Sequence, residues 1–446
     1  MSRLDRLFAL RARGADVRTE VLGGLTTYFT LSYIVVVQPA LMASVGMDAG
    51  AVFTATCLAA AGATLLMGCW ANYPIAVAPA MGHNFYVALV VAAPVAAGGM
   101  GHGWETALGA NCVAGLAFLA LSLGGLREKV IEAIPASLQH AIAAGIGFLI
   151  AFLGLRWSGL VRAAPGTLVR LGDVHEPVVL AAAGGVVVAA ALHVRGVRGA
   201  VLLGMATTAA ALGALGRLRL DGVVGLPPSL APTFGRLDVA GALRPELAAA
   251  VFTLLFLGLF DTVGTLVGIA NQAGLVQDGR LPRAREAMAT DALGTVVGTV
   301  LGTSTVTAYV ESAAGVAEGA RTGLASVVTA GCLVATLFVA PLARAAGAPV
   351  AVGGATLYPV VAPALVLVGS FMVRSVARID FGDAPVAFAS FVTLLAVPLT
   401  FSIAEGIALG AIAYAVLMPV AGRGREVHPV LYASAALFVL RYALLG

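Results

Sequence analysis

Apolar runs separated by short polar breaks recur along the whole chain, at about 20–45, 51–70, 75–95, 105–125, 137–155, 177–194, 199–215, 247–272, 286–302, 303–319, 322–342, 357–374, 384–400 and 403–421. A helix rising 1.5 Å per residue needs about 20 residues to cross the hydrocarbon core of a bilayer, so these runs predict fourteen membrane segments joined by short loops. A fifteenth stretch, 429–445, is short and contains Arg441, which fits a helix lying along the membrane surface or an additional span.

Two of the fourteen segments make poor helices. The third opens with NYPIAVAPAMGHN (72 to 84), where Pro74 and Pro79 bracket small and β-branched residues. The tenth opens with GTSTVTAYVESAAG (302 to 315), whose Thr, Ser and Val favour extended backbone before an Ala-rich run. Each predicts a short strand feeding a half-length helix. Unpaired backbone N–H and C=O groups facing lipid would cost several kcal/mol each, so both strands must be buried in protein, where they can pair with each other. The two interruptions are about 230 residues apart, close to half the chain. The first and eighth segments share that offset, each with a polar and aromatic patch inside an apolar run: TTYFTLSY (26 to 33) and FLGLFDTVGT (256 to 265). Interrupted segments at matching positions of two halves point to a secondary transporter built from inverted repeats, with its substrate at the midplane. Seven segments per half is odd, so the second copy must run with opposite topology.

Composition agrees with this reading. Of 446 residues, 60% are hydrophobic and 11% charged, and the mean hydropathy is +0.98. A soluble domain carries about a quarter charged residues. The 26 Lys+Arg and 22 Asp+Glu cannot clothe a water-soluble globule of this mass, and no second soluble domain fits. The net charge of +4 does not signal nucleic-acid binding, because in a membrane protein the side on which cations sit matters more than their sum. Threading the segments alternately puts more basic residues on the side of the N-terminus, among them Arg3, Arg6, Arg11, Arg13, Arg18, Arg127, Lys129, Arg195, Arg198, Arg280, Arg423 and Arg425. That side is expected to be cytoplasmic, with residues 1–17 a cytoplasmic lead-in and no removable signal peptide. Cys57, Cys69, Cys112 and Cys332 lie in apolar runs without metal-ligand spacing and are expected to be small buried hydrophobes.

Acidic residues within the segments are the candidate chemistry, because an ionised side chain at mid-bilayer costs about 3 kcal/mol and is normally set against a partner, a cavity or a translocated ion. They are Glu20, Asp261, Asp291, Glu311, Glu318 and Glu405. Asp261, deep in the eighth segment, is expected to bind a proton, the plainer alternative being hydrogen bonding to Thr262, Thr265 or a Ser/Thr of a neighbouring helix. Glu311 opens the tenth segment's half-helix, where free N–H groups favour an anion, and is expected to hydrogen-bond substrate. Asp291 is a coupling candidate or a structural partner of backbone, Arg283 or Arg285. Glu318 is expected near water, and Glu405 to suit the start of its helix. His83 and Asn84 begin the third segment's helix, the counterpart of the Glu311 region. Asn84 can donate and accept at once, which suits the edge of a heterocyclic ring. Phe85, Tyr86, Phe260 and Tyr309 are candidates for stacking on a flat ligand, Tyr309 foremost because it stands two positions before Glu311. No GxSxG, HExxH or Walker loop occurs, so the chain is not expected to be an enzyme or to need a metal or cofactor.

The stretches ANYPIAVAPAMGHNFY (71 to 86), FDTVGTLVGIANQAGL (260 to 275), GRLPRAREAMATDALGTVVGTVLGTSTVTAYVESAAGVAEGARTGL (279 to 324) and FSIAEGIALG (401 to 410) resemble the azaguanine-type branch of the nucleobase:cation symporter family, the adenine/guanine/hypoxanthine permeases. The likeness runs from about residue 18 to the C-terminus. It implies an all-α polytopic membrane protein of fourteen helices, two inverted seven-helix repeats with short antiparallel strands in segments three and ten. Residues 18–125 (helices one to four) and 246–343 (eight to eleven) would form a core domain. Residues 126–245 (five to seven) and 344–421 (twelve to fourteen) would form a gate domain, leaving 422–446 as a C-terminal helix. The resemblance implies that Asp261 and Glu311 hold a purine ring and couple its movement to a proton. Asn84 and backbone near Ala308 to Val310 would complete the site, and a homodimer through the gates is implied. His83 departs from the family pattern, where an apolar residue is usual. The expectation is proton-coupled purine uptake by elevator-like alternating access in the cell membrane. A sulfate- or bicarbonate-type anion carrier on the same fold is the alternative, although Glu311 would repel an anion.

Overall fold

The computed structural model describes residues 3–95, 99–124, 135–164, 166–276 and 281–445, except the side chains of 3, 260, 271, 404, 441, 444 and 445. Arg127, Lys129 and Arg280, counted above for orientation, lie outside the described residues, as does the side chain of Phe260. Each of the fourteen apolar segments carries a helix. Their order is α1 (Arg3–Phe8), α2 (Val17–Leu31), α3 (Ile34–Ala43), α4 (Ala49–Leu66), β1 (Val77–Pro79), α5 (Met81–Phe85, continued by the π-helical Tyr86–Ala92) and α6 (Trp104–Gly124). There follow α7 (Ala136–Trp157), the hairpin β2 (Val161–Ala164) and β3 (Leu168–Leu171), α8 (Pro177–Val194), α9 (Ala200–Ala214), α10 (Ala248–Gln272) and α11 (Ala284–Leu301). The chain ends with β4 (Val306–Ala308), α12 (Ser312–Ala317), α13 (Gly323–Thr336), the hairpin β5 (Val350–Val352) and β6 (Ala355–Leu357), α14 (Ala362–Val373), α15 (Ala384–Thr400), α16 (Ile403–Val420) and α17 (Pro429–Leu445). Seven of the described helical stretches are long and apolar enough to cross a membrane.

The two strands pair antiparallel, with Val77 opposite Ala308, Ala78 opposite Thr307 and Pro79 opposite Val306. Flanking bonds from the Ala80 N–H to the Thr305 carbonyl (2.8 Å) and from the Tyr309 N–H to the Ala76 carbonyl (2.9 Å) extend the ladder. All six strand residues are buried, so polar backbone is satisfied within protein. The two hairpins β2–β3 and β5–β6 have no forerunner in the sequence reading.

The repeat is visible in matching devices. Thr64 Oγ1 donates to the Val77 carbonyl (3.0 Å) and accepts from the Val77 N–H (2.9 Å); Thr295 Oγ1 does the same for Val306 (2.9 and 3.2 Å). Before each strand the chain reverses through a left-handed residue, Asn72 (φ 58°) or Gly302 (φ 100°). A lead-in segment caps each reversal. Arg13 Nη1 donates to the Asn72 carbonyl (2.6 Å) and the Arg321 carbonyl (2.9 Å), while Phe8 and Leu10 pack on Leu324. In the second repeat Thr233 Oγ1 donates to the Leu301 carbonyl (3.1 Å), and the Asp238 N–H donates to the Glu105 carbonyl (2.9 Å). Each lead-in thus ties its own repeat's reversal to the start of a helix from the other repeat.

The first membrane helix is interrupted between α2 and α3. Ser and Thr in TTYFTLSY turn back on the helix, Thr30 Oγ1 to the Thr26 and Thr27 carbonyls (3.0 and 2.8 Å) and Ser32 Oγ to Phe29 (3.3 Å), a habit that loosens helices. Pro39 lies within α3. Small residues then let backbones close in, as in membrane helix packing generally. A Cβ at Gly23 would lie 2.6 Å from Ala320 Cβ, one at Gly315 2.2 Å from Thr27 Oγ1, and one at Gly323 1.9 Å from the Gly68 carbonyl. Cys57 and Cys112 are buried as expected and Cys332 is half-buried, but Cys69 is exposed, next to exposed Trp70. Apolar surface is no penalty on the outer face of a membrane helix, so burial could not be inferred from the apolar run.

Contacts divide the chain into Met1–Leu123 with Gly154–Ala364, and Gly124–Leu153 with Leu365–Gly446. In the second unit α15 and α16 meet closely: a Cβ at Gly406 would lie 2.2 Å from Val397 Cγ2, and one at Gly410 1.9 Å from Thr393 Oγ1. The α17 helix is tied to α16 by the Tyr442 hydroxyl, which donates to Glu405. Arg423 bridges Asp383 (2.5 Å) and Glu426 (2.7 Å).

Candidate functional site

The β1–β4 pair delivers two half-helices, and the acidic residues gather beside the second. Glu311 is the residue before α12, yet it makes no capping hydrogen bond to that helix. Its carboxylate is held instead by the first membrane helix, where the Tyr33 hydroxyl donates to Glu311 Oε1 at 2.6 Å. The α12 helix is under two turns long, and its first amides are spent on turn bonds to Tyr309, Val310 and Glu311.

Asp261 lies midway along α10 and is exposed. It is within coulombic reach of Glu311 and of Asp291. Among the described residues no hydrogen bond joins it to Thr262 or Thr265, the two partners within its own helix. Thr262 is turned the other way, donating to Asp291 Oδ2 (2.5 Å) and meeting Thr307 Oγ1 (2.9 Å). Asp291 Oδ1 accepts the Ala308 N–H at 2.7 Å. Of the partners expected for Asp291, backbone is found, and among the described residues no bond joins it to Arg283 or Arg285. Its carboxylate pins the end of β4 to α10 and α11.

Tyr309 is buried, and its hydroxyl donates to the Pro79 carbonyl at 2.5 Å, so the phenol closes the strand pair. Val310 is 55% exposed. The N–H groups of Ala308 and Tyr309 are taken by Asp291 and Ala76, whereas among the described residues those of Val310 and Glu311 make no backbone–backbone bond.

On the other half-helix, His83 and Asn84 are both buried. Asn84 Oδ1 accepts from the Ser304 hydroxyl, while its Nδ2 and the Nε2 of His83 have no hydrogen-bond partner among the described residues. The imidazole packs toward α10, where a Cβ at Gly258 would lie 3.7 Å from His83 Nε2. Phe85 and Tyr86 are buried core aromatics. Glu318 pairs with Arg198, and Glu20 accepts N–H groups of Arg321 (2.7 Å), Thr322 (3.0 Å) and Ala325 (3.1 Å) at the start of α13. Those two acids serve helix ends and ion pairing away from Glu311.

The structure therefore brings together Asp261, Asp291, Tyr309, Val310 and Glu311, and places Asn84 against Ser304 and His83 near Gly258 of α10. Sequence reasoning missed Tyr33 and Gln38. Tyr33 ended the polar patch TTYFTLSY, and Gln38 stands alone in the apolar IVVVQPALMA; it is wholly buried, with Nε2 donating to Thr303 Oγ1 (3.2 Å) and Ser304 Oγ (2.9 Å). A polar side chain inside an apolar run was the available signal in both.

Comparison with known proteins agrees with this architecture. The guanine/hypoxanthine permease PbuG of Bacillus subtilis is 42% identical over 99% of this chain and 100% of its own. The adenine permease AdeP of Escherichia coli is 38% identical over 98% of this chain and 95% of its own. The transmembrane domain of a cyanobacterial bicarbonate transporter, BicA, superposes with a TM-score of 0.64 over 87% of this chain and 97% of that one, at 17% identity, which speaks to the inverted-repeat fold alone. A model of the permease family matches residues 18–409, and with relatives so similar along their whole length the chain belongs to that family of membrane transporters, not to the enzymes.

Proposed function

We propose that the protein carries purine nucleobases of the adenine, guanine and hypoxanthine type into the cell in symport with protons. The observation that carries this reading is the pair of carboxylates, Glu311 and Asp261, presented within coulombic reach of each other beside a half-helix. A neutral ring with several N–H donors can satisfy both acids, whereas sulfate or bicarbonate would be repelled by them. The Val310 N–H supplies a donor for a ring nitrogen or carbonyl. The names of the relatives support the purine class.

In this reading Asp261 and Glu311 hold the ring and exchange the coupling proton, with Asp291 as a further carboxylate behind them. Core helices (18–125 and 246–343) carry the site in an elevator-like movement relative to the gate helices (126–245 and 344–421). The protein works in the cell membrane with its N-terminus in the cytoplasm, as a homodimer through the gates.

Uptake of radiolabelled hypoxanthine, guanine or adenine in permease-deficient cells tests the proposal. Asp261→Asn and Glu311→Gln should each abolish uptake that a protonophore also collapses. Undiminished uptake in both variants rejects the site, and uptake that follows a sodium gradient instead rejects the proton. Competition by bicarbonate or sulfate would favour the anion reading.

A further inference from the structure

The first membrane helix grips residue 311 twice. Tyr33, 1% exposed, donates its hydroxyl to Glu311 Oε1 at 2.6 Å, and Thr30 Oγ1 lies 3.3 Å from the Glu311 carbonyl oxygen. Tyr33 stands at the interruption between α2 and α3, a position from which a phenol can reach across the helix pair. The hydroxyl of Tyr309, close beside that of Tyr33, is already committed to the Pro79 carbonyl. Tyr33 is thus the phenol left for Glu311.

A glutamate has three rotatable side-chain bonds and, unheld, samples several rotamers. A ligand that binds such a group must order it first, at a cost in affinity. A phenol removes that cost. It can donate to a carboxylate and can accept from a carboxylic acid, so it holds the side chain in either protonation state. With Oε1 engaged, Oε2 is the oxygen left for a ligand.

We propose that Tyr33 is the positioning residue of the ligand site: it fixes the Glu311 carboxyl through Oε1 so that Oε2 is presented to a ring N–H. The proposal rests on the reading of Glu311 as a ligand-binding group, and its test has one arm that needs no ligand. In the infrared spectrum of purified protein, the carboxyl band lost in Glu311→Gln belongs to Glu311. Tyr33→Phe should shift that band, and Tyr33→His, which restores an N–H donor, should shift it back toward the wild-type position. An unmoved band in Tyr33→Phe overturns the proposal.

The second arm is transport of radiolabelled hypoxanthine in proteoliposomes. Loss of one hydrogen bond to a charged group predicts that Tyr33→Phe raises KM about tenfold while kcat stays within about twofold, with partial recovery in Tyr33→His. Wild-type KM in Tyr33→Phe, or an equal fall in kcat without a change in KM, overturns it. Wild-type vesicles that take up no purine would refute the purine reading instead, while the infrared arm still decides the role of Tyr33.

Discussion

Asp291 offers a sharp test, because a structural role and a coupling role predict different outcomes for two substitutions. Its Oδ1 accepts the Ala308 N–H at 2.7 Å and its Oδ2 accepts the Thr262 hydroxyl at 2.5 Å, all three residues being deeply placed. In Asp291→Asn the side-chain oxygen still accepts from Ala308. The new NH2 donates to Thr262 Oγ1, which can turn to donate to Thr307 Oγ1, 2.9 Å away. The expected loss is under about 1 kcal/mol, the difference between a hydrogen bond to a charged and to a neutral acceptor. In Asp291→Ala, Thr262 can still turn to Thr307, but the Ala308 N–H is left buried without an acceptor. That orphaned donor costs about 1–3 kcal/mol beyond the Asn variant. Since Ala308 ends β4 three residues before Glu311, the Ala variant should also lose ligand affinity. The assay is denaturant or detergent titration of the purified variants, with purine binding measured alongside. Equal stability of the Ala and Asn variants would refute the hydrogen-bond argument. Full stability and intact binding in Asp291→Asn, with transport abolished, would instead mark Asp291 as a coupling group.

Other predictions follow from the packing and the lead-in. Gly315→Ala puts a Cβ 2.2 Å from Thr27 Oγ1 and 2.5 Å from the Gly23 carbonyl, so the half-helix must move away from α2, at about 1–3 kcal/mol, and purine binding should fail. Gly331→Ala meets nothing within 4 Å and should behave as wild type; equal behaviour of the two variants would count against close packing as the cause. Asp16 caps α2, accepting from the Thr19 hydroxyl (2.6 Å) and the N–H groups of Thr19 (3.0 Å) and Arg18 (2.9 Å), and these bonds hold its carboxyl below the usual carboxylate range. A folded value below the unfolded one, ordinarily about 3.9, means that this stabilisation is complete above that pH and fades as pH falls through the folded value. Thermal unfolding from neutral to acid pH should therefore show a smaller acid loss in Asp16→Ala than in wild type, and superimposable pH profiles would refute the cap.

Apolar periodicity alone located the fourteen helical segments, because a bilayer demands long apolar runs and tolerates few alternatives. The interruptions at 72–84 and 302–315 were legible for the same reason: Pro, Thr and β-branched residues conflict with helix where helix is obligatory. Asp261 and Glu311 were legible as well, since a carboxylate in an apolar segment needs a reason to be there. Which groups meet was decided only by tertiary structure. Glu311 was legible as a carboxylate at the start of a half-helix, but not its protein partner Tyr33, 278 positions away in sequence. Thr262, adjacent to Asp261, serves Asp291 instead, because helix geometry turns consecutive side chains to different faces. The lead-ins at Arg13 and Thr233 close chain reversals of their repeats through side-chain bonds to carbonyls, which leave no mark in hydropathy. Local sequence fixes where a segment can lie in a membrane; only the packed chain determines which donor finds which acceptor.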